Sequence, residues 1–227
     1  MAGKRLSSTE RRGRIVSAAA KVFAERGYAE AAMERIAQAA GVTKPVLYDH
    51  FESKEALFVA VLESMRDRLL AEGRKAASAG ATGQARVRAA VRGLLDVAEA
   101  APDAMRVLVC ARYGDPVGAK LAKAVQSSAI DSIAAMLAPT SAIGEAWARL
   151  ATAQFVMSGL HAIALWWFEN AGTPKDALAE IAAAIVWRGV SAWETDLTQQ
   201  ISNEPPPLVE GAADETSAGT ESKTVSP

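Results

Sequence analysis

The 227-residue chain gathers its most chemically capable side chains in one stretch, residues 33–58, MERIAQAAGVTKPVLYDHFESKEALF. Thr43, Lys44, Tyr48, His50 and Lys54 place hydroxyl, ammonium, phenol and imidazole groups a few positions apart. None of them is spaced as a nucleophile with its base. The chemistry they offer is recognition: each donates hydrogen bonds to anionic oxygens, and a lysine can also donate to guanine O6 and N7. Pro45 and Val46, between them, can make only apolar contacts, for instance with a thymine methyl. Asp49 is the misfit, because an acid repels phosphate unless it meets cytosine N4 or turns away.

Other chemistries lack their motifs. No P-loop, G-x-S-x-G, H-E-x-x-H or dinucleotide fingerprint occurs. The two histidines, His50 and His161, have no metal-ligand spacing, and one cysteine, Cys110, allows neither an intrachain disulfide nor a multi-cysteine zinc site. No catalytic residue, cofactor or metal is expected. Residues 1–54 carry ten Lys/Arg against six Asp/Glu, while residues 203–227 carry five acids and one lysine. A basic head suits a polyanion partner, although many solvated N-termini are also basic.

The elements that hold this stretch read as helices. The chain is 50% hydrophobic, rich in alanine, and has no run alternating apolar and polar with period two, so an all-α fold of about nine helices is expected. A first helix over 8–26 ends at Gly27, and a short one over 32–39 puts Met33, Ile36, Ala37 and Ala40 on one face. Gly41 supplies the positive φ of a sharp turn. Thr43 stands as N-cap and Pro45 in the first turn of the next helix, 44–50. Ser53 caps a longer helix, 54–73. Two short helices joined by a glycine turn make a helix-turn-helix, with Val42 and Leu47 plugging the angle between them.

This stretch resembles the DNA-binding domain of the TetR/AcrR family of bacterial transcriptional regulators. The matching string runs from Arg14 through Gly27-Tyr28, Ile36-Ala37, Ala40-Gly41-Val42, Leu47-Tyr48, His50-Phe51 and Ser53-Lys54-Glu55 to Leu57. The resemblance implies a three-helix DNA-binding domain over 1–60 and a helical ligand-binding and dimerisation domain over 61–201. It places Thr43, Tyr48, His50 and Lys54 on phosphates, and Lys44, Pro45 and Val46 at base edges. The family pattern carries Thr or Ser at the start of the second helix, where this chain has Ala31 and Ala32. Plainer readings stand beside these roles: Phe51 as packing, Tyr48 as packing or contact, His50 as a surface histidine, Lys54 as a solvated helix-start lysine. Arg11, Arg12 and Arg14 divide between phosphate contact and solvation.

Beyond residue 73 the small, polar segment 73–83 reads as a link. Helices are expected over 84–100, 103–113, 117–137, 144–170 and 174–200, and residues 202–227 as a disordered acidic tail. Residues 150–168 carry no formal charge and nearly meet the length of a membrane span, but Thr152, Gln154, Ser158 and His161 favour a buried core or dimer helix. The resemblance implies a small-molecule effector. Arg112, Tyr113, Phe155, His161, Trp166 and Trp167 are the candidate ligand residues, with a core role as the alternative for His161 and the aromatics. Small residues at Ala151, Gly159, Ala162, Ala179, Ala182 and Ala183 suit two antiparallel helices meeting their symmetry mates as a four-helix bundle. The expected protein is a homodimeric repressor, cytoplasmic, with no membrane partner, released from a double-stranded DNA operator by a largely apolar effector. The alternative is a helical ligand- or partner-binding protein whose head has lost specific DNA binding.

Overall fold

A computed structural model describes residues 7–78, 82–114, 116–137 and 146–191. The expected tail, 202–227, and the end of the last predicted helix lie outside them. Nine α-helices and no strand occur among the described residues: α1 (Ser8–Glu30), α2 (Met33–Ala40), α3 (Lys44–His50), α4 (Lys54–Ser78), α5 (Gly83–Ala100), α6 (Pro102–Cys110), α7 (Pro116–Leu137), α8 (Ala146–Glu169) and α9 (Lys175–Ser191). A 3-10 turn, Ala111–Tyr113, joins α6 to the segment before α7.

Local chemistry sets the ends. Ser7 and Glu10 form a reciprocal capping box on α1, each side chain bonding the other's backbone N–H. That bond holds the Glu10 carboxyl below its ordinary pKa. Gly27, expected to end α1, takes φ 74 and turns the chain, but helix resumes for one more turn. Tyr28 explains the continuation: its ring meets Phe58 edge-on at 4.9 Å and stacks on Phe23 at 6.3 Å. Ala32 gives α2 no side-chain cap. Ser53 caps α4 as expected, its Oγ accepting from Ala56 N–H at 3.0 Å.

One cluster of buried apolar residues runs through the described structure, from Ile15, Phe23, Ile36 and Leu47 through Leu57, Val61 and Met65 to Leu95, Met105 and Ala122. The helix-turn-helix is thus packed onto the body, with α1 against α6 and α4 against α5 and α7. α4 runs through residue 60 without a break. Its first half, Leu57, Phe58 and Val61, belongs to the N-terminal core, and its second half reaches α5. Gln126 is the buried polar side chain on α7, and it donates to the Leu108 carbonyl of α6.

α9 lies along α5. Ala179, Ala182 and Ala183 are buried, and ion pairs flank the contact: Arg88 with Glu180, Arg92 with Asp176, and Lys175 with both Asp96 and Glu99. The two carboxylates raise the Lys175 pKa well above its ordinary value. The small residues of α9 therefore serve packing within the chain, which corrects the expectation that they meet a symmetry mate. α8 is long and apolar enough to cross a membrane by length and composition, yet only 17% of its most apolar window is buried. Of the expected buried core or dimer helix, the single chain buries one face, with Ala148, Ala153, Leu160 and Ala164.

Candidate nucleic-acid interface

The turn between α2 and α3 is built on Gly41, at φ 63 and ψ 38. Its N–H reaches Gln38 O, and Val42 N–H reaches Ala37 O, at 3.1 and 3.0 Å, which closes the C-terminus of α2. Ile36, Ala40 and Leu47 are wholly buried in the angle between the helices. Fixing Leu47 inward turns the opposite face of α3 to solvent. Thr43, Lys44, Pro45, Tyr48 and Asp49 are exposed, and Val46 and His50 half-buried. Tyr48 retains 42% of its surface, so it faces outward rather than packing between helices. Phe51 is buried, with the Arg12 guanidinium 4.6 Å above its ring.

Thr43 begins α3, but its side chain makes no capping bond; its carbonyl accepts from Leu47 N–H instead. The expected side-chain cap is thus absent, and the hydroxyl is left for an outside acceptor. Lys44 pairs with Glu34 of α2, and its Nζ lies 5.9 Å from the Tyr48 ring centroid. The shared hydrogen bond raises the Lys44 pKa and lowers that of Glu34. Lys54 is not a freely solvated lysine. Its Nζ donates to Ala29 O at 3.0 Å and sits 4.7 Å from the Tyr28 ring centroid, pinning the end of α1 to the start of α4. The seven sequence-predicted DNA residues thus lie on or beside α3, and six of them belong to the segment from Thr43 to His50.

A family model described as bacterial regulatory proteins, tetR family, matches residues 15–61. Over 190 residues the chain is 33% identical to the transcriptional activator FasR of Mycolicibacterium smegmatis, covering 83% of this chain and 87% of that one. This chain belongs to the TetR family. It is accordingly a DNA-binding transcriptional regulator and not an enzyme. A TetR-like regulator from Rhodococcus sp. RHA1 superposes with a TM-score of 0.66 at 25% identity, covering 82% of this chain and 99% of that one. FadR of Bacillus subtilis, solved in complex with stearoyl-CoA, shares the fold with a TM-score of 0.65 at 15% identity, covering 77% of this chain and 96% of that one.

In this TetR-family chain the second notable site is a cavity of about 450 Å³ between α4, α5, α8 and α9. Leu69, Ala76, Val91, Leu94, Val156, Leu160 and Trp187 give it apolar walls, and Arg86 is the one charged residue lining it. The Arg86 side chain makes no ion pair or hydrogen bond among the described residues, whereas those of Arg88 and Arg92 on the same helix are paired. Gly83 lets the Trp187 ring come close, since a Cβ there would stand 2.6 Å from it.

Of the six sequence-predicted ligand residues, the five with described side chains, Tyr113, Phe155, His161, Trp166 and Trp167, do not line this cavity. Phe155 and Trp166 face outward, with 81% and 48% of their surface exposed. Trp167 closes the end of α8 by donating to Thr173 O at 3.0 Å. Tyr113 is exposed in the 3-10 turn, and Arg112 shares that turn with a side chain outside the described set. His161 lines a separate, much smaller cavity of about 40 Å³ with Arg66, Gln126 and Met157. Trp187 and Met157, large apolar residues that the sequence offers for either a pocket or a core, line the cavity, whereas Arg86 is revealed only by the placement of its helix.

Proposed function

We propose that this chain is a homodimeric operator-binding repressor, with residues 1–60 reading DNA and residues 61–201 holding effector and partner. The observation that carries this is α4, which follows the reading helix directly in the chain, packs its first half into the N-terminal core and ends as a wall of the cavity. Thr43, Tyr48, His50 and Lys54 are the phosphate contacts, and Lys44, Pro45 and Val46 the base-edge contacts. Lys54 acts from a docked position and so contributes to the shape of the head as well as to its charge.

The effector has an apolar body and one anionic head. The cavity falls within the range of about 300–1,000 Å³ used for small ligands. Its walls reward an apolar body, and a half-buried guanidinium without a counter-charge rewards an anion. FadR of Bacillus subtilis, a protein of the same fold, holds stearoyl-CoA, a molecule of that general kind. The effector must bind two conformations of the dimer unequally for anything to switch.

The partner copy covers α8 and α9. Trp147, Leu150, Phe155 and Trp166 on α8 are exposed, as are Ile181 and Ile185 on α9. Six large apolar side chains on two helices need burial that the single chain does not provide. Ala151, Gly159 and Ala162 lie exposed on α8 and permit a close approach.

A second reading concerns sign only. FasR, a relative at 33% identity, is named an activator. Occupancy over a promoter represses; occupancy upstream of one can recruit polymerase. The test is selection of bound duplexes from a random library, with operator position then mapped beside a reporter. A near-palindromic site with a steep salt dependence supports the dimeric reading. No enrichment from a folded dimer would move the assignment to the partner-binding alternative.

A further inference from the structure

We infer that Glu34 is a specificity-determining residue: it presents Lys44 to base edges and penalises any DNA that offers Lys44 only phosphate. This rests on α3 being the element that reads DNA. Glu34 lies in the first turn of α2, Lys44 is the first residue of α3, and their side chains bridge the two helices across the turn. Both remain largely in solvent, with side-chain exposures of 64% and 51%. An ion pair so exposed adds little to stability, so its effect is sought in what it does to the outer surface.

That effect is electrostatic. The pair is neutral, and it stands beside Tyr48, on the face that carries the other contact residues. A lysine ammonium has three donors, of which Glu34 takes one. With guanine within reach, Lys44 can keep the Glu34 bond and donate its remaining protons to O6 and N7. Where no such base is present, the groove offers only single acceptors such as adenine N7 or thymine O4, and the phosphates become the strongest competing acceptors. Turning to them breaks the pair and leaves the Glu34 carboxylate bare beside a polyanion. The carboxylate therefore weakens binding to wrong sequences more than to right ones, a means of discrimination by repulsion. Lys44 also stays charged throughout, since Glu34 raises its pKa.

Glu34→Gln tests this, because glutamine keeps an oxygen that accepts from Lys44 and removes only the charge. Binding is measured by fluorescence anisotropy on the selected operator and on a scrambled duplex, each over a salt series. Glu34→Gln is expected to tighten the scrambled duplex about 3–10-fold, to steepen its log–log salt slope by about 0.9, one added phosphate contact, and to leave operator affinity within about 3-fold. Glu34→Asp should keep the wild-type ratio. In a Lys44→Gln background Glu34→Gln should have no such selective effect. If Lys44→Gln weakens operator binding yet Glu34→Gln shifts both duplexes equally, or neither, the inference falls and the reading helix stands. If Lys44→Gln leaves both duplexes bound as in wild type, α3 is not the reader and the inference falls with it.

Discussion

Replacing Gly41 by alanine separates two reasons for a glycine at that position. The first is backbone: φ 63, ψ 38 is left-handed, and an L-residue with a Cβ is less stable there by about 1–2 kcal/mol. The second is steric: a Cβ at 41 would stand 2.7 Å from Arg14 Nη2. That atom is the far end of a flexible side chain, so its displacement costs little beside the backbone conformation. Gly41→Ala should therefore lose about 1–2 kcal/mol, a fall in Tm of about 2–8 °C for a chain of this size. Gly41→Asn should lose about half as much, since asparagine visits this region more readily. In an Arg14→Ala background the alanine cost should stay within about 0.5 kcal/mol of its value alone. Thermal melts by circular dichroism at fixed protomer concentration read all four variants. If the cost disappears once Arg14 is removed, the clash was the cause and the conformational argument is wrong. If Gly41→Ala loses nothing in either background, the left-handed turn itself is refuted.

Other expectations concern the contacts around the two sites. Lys54→Ala should lower both operator affinity and Tm, since it removes a hydrogen bond and a ring contact together worth about 1–2 kcal/mol; Tyr48→Ala should lower affinity alone, and equal melts for the two would contradict the docked lysine. Arg86→Gln should weaken a long-chain carboxylate about 5–30-fold in displacement of a fluorescent apolar anion, and a matching alcohol hardly at all, because a charged hydrogen bond in a half-exposed site is worth about 1–2 kcal/mol. Equal losses for both would remove the anionic head from the proposal. Phe155→Glu with Ile185→Glu should yield monomers by light scattering with the helical spectrum intact, whereas an unaltered dimer would place the partner elsewhere. Stability should fall as pH drops below 4.5, the ordinary glutamate value, because the lowered pKa of Glu10 means its folded-state bonds are present above that pH and lost on protonation; a Glu10→Gln variant with the same acid limb would dissociate the loss from the capping box.

The head was legible because its signals are local. Gly41, Pro45 and Ser53 each constrain the backbone within one turn of themselves, and α3 occupies Lys44–His50 as expected. Thr43 was misread in part: threonine is a good cap by type, but whether its hydroxyl turns to the backbone depends on a rotamer that type does not fix. The cavity was illegible for a different reason. Leu69, Ala76, Val91, Leu94 and Leu160 are ordinary inward-facing residues on helices far apart in sequence. Periodicity identifies an inward face, but not whether the space it faces is filled. Conspicuous aromatics drew attention instead, and Phe155 and Trp166 turned outward. The sequential cluster Trp166-Trp167-Phe168 spans most of a helix circumference, so its three members were bound to have different environments.

The unbroken run of α4 also makes the protein a length gauge. Its 25 residues span roughly 37 Å at about 1.5 Å per residue. A tilt of about 5° at the cavity end of a rod that long carries its other end about 3 Å, close to the rise of one base pair, about 3.4 Å. In the proposed dimer, two heads must meet half-sites on the same side of the duplex, about 34–36 Å apart. An error of one base-pair step also rotates the target by roughly a tenth of a helical turn. The double helix thus acts as a vernier: a shift too small to change the fold of either head is large enough to put the second head out of phase with its groove.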